Sequence, residues 1–245
     1  MTDLDSESLA GCVAIVTGGS RGIGLATAMA LRAEGADVLV CGRSEAALDR
    51  AGVHLVHTPG AGRVATVVAD VRRHDEAERL VAAAVDELGA VDILVNNAGI
   101  GRFAPASELP VDAWIETIET NLSGVFYCCR AAIPVMKRRR GGWIVNVSSL
   151  AGKHPFIGGI AYCASKAGVD ALTESLMQEV RRDGIRVSCV LPGSVNTEFG
   201  GGRSSAVADW KLDASDVARA VVDLLRHPAR SLPSRVELRP SAPRE

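Results

Sequence analysis

"CVAIVTGGSRGIGLATAMAL", residues 12–31, sets an apolar, β-branched run against a glycine-rich turn and then a stretch of helical period. That order reads as strand, tight turn, helix. Gly18, Gly22 and Gly24 let the backbone bend sharply and come close to a ligand, while the new helix offers its first N–H groups to a pyrophosphate. Ser20, Arg21 and Ile23 belong to the same turn and are expected to share the contact. The spacing is G-x-x-x-G-x-G rather than G-x-G-x-x-G. Tight turns of many kinds need glycine, so the weight comes from position, directly after the first strand.

The alternation continues along the chain. Apolar runs at 12–17, 36–41, 63–69, 91–96, 143–148 and 185–191, with a late "RVEL" at 235–238, are separated by helix candidates near 22–34, 44–51, 74–88, 111–138, 161–183 and 214–226. Strands apolar on both faces, alternating with helices, predict parallel βαβ units. The expected fold is α/β: a Rossmann-like, doubly wound parallel sheet of about seven strands, with helices on both faces in three layers. One domain spans 1–245, with 1–10 as a frayed polar lead-in and 198–212 as a mobile substrate loop, in which "GGGRSS" (200–205) reads as a short lid. "KRRR" (137–140) ends a long helix, where cations complement the negative end of the dipole.

Composition narrows the function. The 245 residues are 47% hydrophobic and 23% charged, with a formal charge of −2, so there is no electrostatic case for nucleic acid or an anionic membrane. No apolar run approaches the ~18–20 residues that span a bilayer, and the acidic start lacks the pattern of a signal peptide. The six cysteines are scattered without a C-x-x-C, which points to buried free thiols in a reducing cytoplasm. Five dispersed histidines give no support for a metal site.

A competing motif lies inside the glycine turn. "GGSRG" (18–22) satisfies G-x-S-x-G, a serine hydrolase elbow, and Asp209, Asp213 or Asp216 with His227 would complete the order Ser, Asp, His. Only 19 residues precede Ser20, too few for the strands and oxyanion loop that such an elbow follows. A Ser20 hydrolase is therefore a distant second reading.

The second strand runs into "VCGRS" (40–44). An NAD site usually carries a carboxylate there; this chain has Gly42 and Arg43. Arg43 and Arg21 are placed to clasp a 2′-phosphate, so NADP(H) is favoured over NAD(H). Asp70, followed by Val71, either meets the adenine amine or caps the next helix.

"YCASK" (162–166) puts Tyr162 and Lys166 at i and i+4 on one helical face. With "TGGSRGIG" (17–24), "NNAG" (96–99), Asn121 in "NLSGVF", "VNVSSLAG" (145–152) and "PGSVNT" (192–197), it makes the chain resemble the short-chain dehydrogenases/reductases over about residues 10–226. The resemblance implies a nicotinamide cofactor and a catalytic tetrad that maps to Asn121, Ser149, Tyr162 and Lys166. It implies that Asn121 distorts its helix and retains a water that feeds protons towards Lys166. It also implies cofactor contacts at Asn97, Ala98 and Gly99, with Asn96 beside them at the carboxyl end of the fourth strand, at Pro192 and Gly193, and from Val195 and Thr197 to the carboxamide.

The chemistry agrees with that reading. A free phenol with pKa ~10 is a poor acid–base group near neutrality. An ammonium ~4 Å away at an effective dielectric near 20 contributes about 4 kcal/mol, or ~3 pK units, before desolvation opposes it. Lys166 is therefore expected to lower the phenol of Tyr162 towards working pH. Ser149 would hold the substrate oxygen, with Ser148 as the alternative; strand alternation turns the two hydroxyls opposite ways. Tyr127, in "GVFYCC" with no cation four residues on, reads as core.

The expected reaction is hydride transfer between NADP(H) and a small, mostly apolar ketone or secondary alcohol, in the manner of a carbonyl reductase or 3-oxoacyl reductase. Pocket candidates are Ile100, Arg102 and Phe103, then His154, Phe156 and Ile157, then Glu198 and Phe199. A regulatory NADP(H)-binding protein on the same fold is the alternative, but such relatives tend to lose the Tyr or Lys. Many relatives end in a Thr-Gly pair and an Asp-Gly-Gly run; here the end reads "PSRVELRPSAPRE" (233–245). The family's usual homo-tetramer uses that end as an interface, so a dimer stays open.

Overall fold

The computed structural model describes residues 8–199, 208–228 and 230–242. The glycine turn links β1 (Val13–Thr17) to α1 (Gly22–Ala33). Then follow β2 (Asp37–Gly42), α2 (Glu45–His57), β3 (Val64–Val68), α3 (His74–Leu88) and β4 (Ile93–Asn96). The second half runs α4 (Val111–Ile118), α5 (Gly124–Arg139), β5 (Gly142–Val147), α6 (Ile160–Val180), β6 (Ile185–Pro192), α7 (Ala214–Leu225) and β7 (Arg235–Leu238). The seven strands form one sheet in the order β3-β2-β1-β4-β5-β6-β7, and every pairing is parallel. The order reverses between β1 and β4, and a crevice opens there at the carboxyl ends of the strands.

β1, β4 and β5 are buried at every position, as strands covered on both faces must be. Alternate side chains feed two cores. Ile15, Leu39, Leu94 and Ile144 pack on one face, and Val16, Val40, Val95 and Val145 on the other. Each such side chain contributes about 1.5–3 kcal/mol through burial. Polar anchors fix the edges of this sandwich. Asp92 accepts from Val13 N at 2.9 Å and from Arg139 Nε at 2.9 Å, so one cation of "KRRR" is tied to the sheet. α7 starts on a capping box made by Asp213 and Asp216.

Several expectations are corrected. The lead-in is not frayed at Leu9, which is 1% exposed in the second core and donates its N–H to Glu34 O at 3.0 Å. The helix expected at 44–51 extends to His57, because Ala51 and Leu55 keep the apolar stripe going. The single helix expected at 111–138 is two, joined by a π-helical turn at Glu119–Ser123. Tyr127 only packs against the core, its ring 6.2 Å from that of His74. The lid at 200–205 lies outside the described residues. No helix among the described residues is long and apolar enough to cross a membrane.

Candidate active site

The carboxyl ends of β1, β4, β5 and β6 open on one cavity of about 1160 Å³. Its floor is the glycine turn. Gly18 has φ +63°, and a Cβ there would meet Ala98 Cα at 2.9 Å, so only glycine fits. Thr17 Oγ1 accepts from the N–H groups of Asn97 and Ala98, both at 3.0 Å. Asn97 Nδ2 returns bonds to Thr17 O at 2.9 Å and Gly18 O at 3.2 Å. These bonds lock "NNAG" against the turn. Ser20, Arg21, Gly22 and Ile23 reach the cavity wall, as do Ala98 and Gly99. No side chain caps the first turn of α1, whose N-cap is Arg21.

One expected contact is absent from the cavity wall, and Asn96 beside the site is turned inward. Gly24 is not on the wall; it is a packing glycine, since a Cβ there would lie 2.3 Å from Gly18 O. Asn96 is 2% exposed and turned inward, where Nδ2 donates to Asn146 Oδ1 at 2.9 Å.

At the other end of the cavity, Ser149 follows β5, and Tyr162 and Lys166 stand one turn apart on α6. Ser148 turns away, donating from Oγ to Lys166 O at 3.2 Å, while Ser149 faces the phenol. The two hydroxyls point opposite ways, as strand alternation requires. Lys166 is buried, donates from Nζ to Val147 O at 2.8 Å and lies 5.8 Å from the centre of the Tyr162 ring.

The electrostatics correct one expectation. Burial raises the phenol's pKa above 10.0, a hydrogen bond with Ser149 works against that rise, and Cys163 adds to it. Burial, rather than Lys166, sets the net direction. Its own ammonium is desolvated, which pulls its pKa from 10.5 down to about 8 although Cys189 and Asp170 raise it. Its Nζ bonds to a strand carbonyl rather than to the phenol.

Asn121 lies in the π-helical turn, consistent with the expected distortion, but its side chain does not reach the cavity. Its Oδ1 accepts from Ile100 N at 2.8 Å, and its Nδ2 donates to Ile100 O at 2.9 Å and Ser165 Oγ at 3.0 Å. Its side chain thus ties Ile100 to Ser165.

The far wing of the cavity holds Arg43, Asp70 and Val71. Arg43 is paired with Glu116 at 3.4 Å, and Arg21 with Glu198 at 3.2 Å, both half-exposed or more at the guanidinium. Asp70 does not cap α3, whose N-cap is Arg73. Its carboxylate is held by Arg72 through Nε at 2.9 Å, and that hydrogen bond pulls its pKa below the usual carboxylate value. Pro192, Gly193, Val195 and Thr197 line the near wall.

The substrate side is aromatic. Phe103 and Phe199 flank Tyr162 at 5.7 and 5.4 Å between ring centres, and Phe156 stacks behind Phe103 at 5.7 Å. Ile100 and His154 also line this wall. Ile157 is fully exposed to solvent, and Arg102 is turned to Glu116 at 3.1 Å, so neither belongs to the pocket. Sequence reasoning missed Trp210, Lys211, Arg239 and Pro240 on the wall. The signal is present for Arg239: ligands gather at carboxyl ends of parallel strands, and Arg239 directly follows the seventh.

The cavity suits a dinucleotide and a small substrate together. Its length runs from two arginines to the phenol, and Thr120 Oγ1 is buried on its wall without a hydrogen-bond partner among the described residues. The hydrolase arrangement does not form: the His227 ring faces Ser231 Oγ at 3.4 Å, and Asp213 and Asp216 cap α7.

The sequence matches the short chain dehydrogenase family over residues 12–207. It is 34% identical over 232 residues to an uncharacterized oxidoreductase of Staphylococcus saprophyticus, covering 93% of this chain and 97% of that one. A 3-oxoacyl-[acyl-carrier-protein] reductase of Synechocystis is 37% identical over 188 residues, covering 76% and 75%. Among solved structures, an alcohol dehydrogenase from the archaeon Thermococcus sibiricus, complexed with 5-hydroxy-NADP, superposes with a TM-score of 0.88 at 30% identity, covering 96% and 98%.

Proposed function

The chain belongs to the short-chain dehydrogenase/reductase family, an enzyme family of nicotinamide-dependent oxidoreductases, and from that premise we propose that it reduces a small, mostly apolar ketone, or oxidises the matching secondary alcohol, with NADP(H). The observation that carries the reading is the meeting of Ser149, Tyr162 and Lys166 with the glycine turn in one cavity. The glycine turn, Asn97, Gly99, Lys166 and Thr197 would hold the cofactor, with Arg21 and Arg43 near its 2′-phosphate. When bound, the cofactor supplies or accepts the hydride.

The protein's own part is to handle oxygen and proton. Ser149 donates a hydrogen bond to the carbonyl oxygen and stabilises the charge that develops there. Tyr162, kept protonated by burial, gives its proton to that oxygen. Lys166, charged below about pH 8, then stabilises the phenolate left behind. Phe103 and Phe199 exclude water beside the phenol and set an apolar wall for the substrate. The three aromatic rings and Ile100 support a compact apolar chain on the ketone.

We also infer a cytoplasmic homo-oligomer, tetramer or dimer. All six thiols are free and buried, and Trp114, Ile115 and Phe126 leave apolar surface exposed on α4 and α5.

The test has two arms. Fluorescence titration with NADPH and NADH should show tighter binding of NADPH; equal affinity, or none, removes the arginine argument. A panel of methyl ketones followed at the nicotinamide absorbance should show turnover that Tyr162→Phe lowers by about 10²–10⁴-fold with cofactor affinity kept. Cofactor binding with no turnover of any ketone or alcohol would instead leave a regulatory binder.

A further inference from the structure

Arg239 is the first residue past β7, and the chain there turns inward over the substrate side of the cavity. Gly193 N donates to Leu238 O at 2.8 Å, so the end of β7 is fixed beside the "PGS" turn. A Cβ on Gly193 would meet Pro240 Cδ at 3.1 Å and Leu150 Cδ1 at 3.3 Å, which packs the tail against the residue following Ser149. Arg239 and Pro240 thus form cavity wall together with His154 and Tyr162.

The charge at this wall is unbalanced. Glu237 is shared by two cations: Arg239 Nη2 at 3.0 Å and the ammonium of Lys153. Those hydrogen bonds hold the Glu237 carboxyl below its usual value, so it is a full anion and can cancel only one of the two. The same Nη2 also meets His154 Nε2 at 3.2 Å, so both contacts fall on one corner of the guanidinium. A guanidinium is only a donor, so the imidazole accepts through Nε2 and carries its proton on Nδ1. Lys211 lines the same cavity over the Trp210 ring, and no carboxylate of the described residues lies within 4 Å of it. Among the described residues, Glu198 on the cavity wall is paired with Arg21 at 3.2 Å.

We propose that Arg239, aimed by Glu237 and His154, is a specificity residue that binds a carboxylate on the substrate, so that the ketone is an oxo-acid whose apolar stretch lies along Phe103 and Phe199. This rests on the oxidoreductase reading above and adds the class of substrate to it. A guanidinium pairs a carboxylate through two parallel N–H···O bonds, which fixes the orientation of the chain and hence which carbonyl meets the phenol.

The test compares 4-oxopentanoate and 5-oxohexanoate with their methyl esters, using the full chain and NADPH. The acids should be preferred over the esters by about 10-fold or more in kcat/KM, mainly through KM. Arg239→Gln should bring the acid-to-ester ratio towards one, and Arg239→Lys should restore part of it. Thermal melting of each variant separates a folding defect from lost recognition, because a misfolded variant loses both substrates alike and leaves the ratio unchanged. Wild-type protein that reduces acid and ester equally, or an Arg239→Gln that melts normally and keeps the ratio, overturns the carboxylate assignment alone. Turnover of neither acid nor ester, nor of any neutral ketone, overturns the oxidoreductase reading and this inference with it.

Discussion

Lys166 is buried on the cavity wall, and burial holds its pKa at about 8 against the upward pull of Cys189 and Asp170. Two consequences follow with definite sign. Below about pH 8 the group is charged and can stabilise a phenolate on Tyr162; above it that help is lost. The rate of ketone reduction is therefore expected to be level on the acid side and to fall as pH rises through about 8, a limb to be read in kcat/KM. A profile flat across that value would remove Lys166 from the proton path. For stability the sign reverses, because the unfolded chain holds this proton up to 10.5 while the folded one releases it from about 8. At this site folding gains as pH rises across that window. The candidacy of Ser149, Tyr162 and Lys166 is legible in the sequence through the family's linked motifs; the state of the lysine is not, because desolvation depends on what β5 and α6 bury between them.

The π-helical turn Glu119–Ser123 is the element-scale feature on which the site depends. One extra residue in the turn lets the Asn121 amide reach across to Ile100, the residue that follows "NNAG", and to Ser165 on α6. A π-turn breaks the ordinary helical ladder, and such turns often mark functional sites. Asn121→Ala should cost about 1–3 kcal/mol, since it strands the partly buried N–H and C=O of Ile100. Urea unfolding measures that loss. Turnover should fall too, through displacement of "NNAG" against α6, while a variant as stable as the wild type would mean that the turn holds itself. Gly24→Ala tests the neighbouring element. Its new methyl would press on Gly18 O and Asn97, so NADPH affinity should drop by at least about 10-fold although Gly24 touches no ligand. Unchanged affinity would show that the turn can yield.

At the scale of the whole molecule, five thiols share one physical state, Cys128 among them, raised well above 9.0 by its burial. Burial, the leading cause at each, lifts Cys12 from 9.0 to about 11 and Cys41, Cys129 and Cys189 to about 12. Their folded values lie above the unfolded one, so their contribution to stability is complete below pH 9.0 and is lost as pH climbs towards 11 and 12. Lys166 works the other way, but one group is set against five. The urea midpoint should fall steeply between about pH 9 and 11, and more gently in a Cys41→Ala/Cys129→Ala double variant, whatever its stability at neutral pH. Equal slopes would mean that the thiols ionise without opening the sheet.

The chain by itself determined the sheet, because uniformly apolar strands spaced by helices have only one way to bury both faces, and it determined the turn, because glycines after a first strand permit one close approach. It made the phenol, lysine and serine candidates through motifs that a helix and a strand turn into direction. Tertiary structure alone decided the rest. Gly24 and Asn96 look like ligand contacts in a motif, yet packing turns them inward. Arg239 lies 77 positions from Tyr162 and enters the same cavity only because β7 pairs with β6 in parallel. Local rules act over a helical turn or a strand alternation; which distant residues share a wall is fixed by the order in which strands stack.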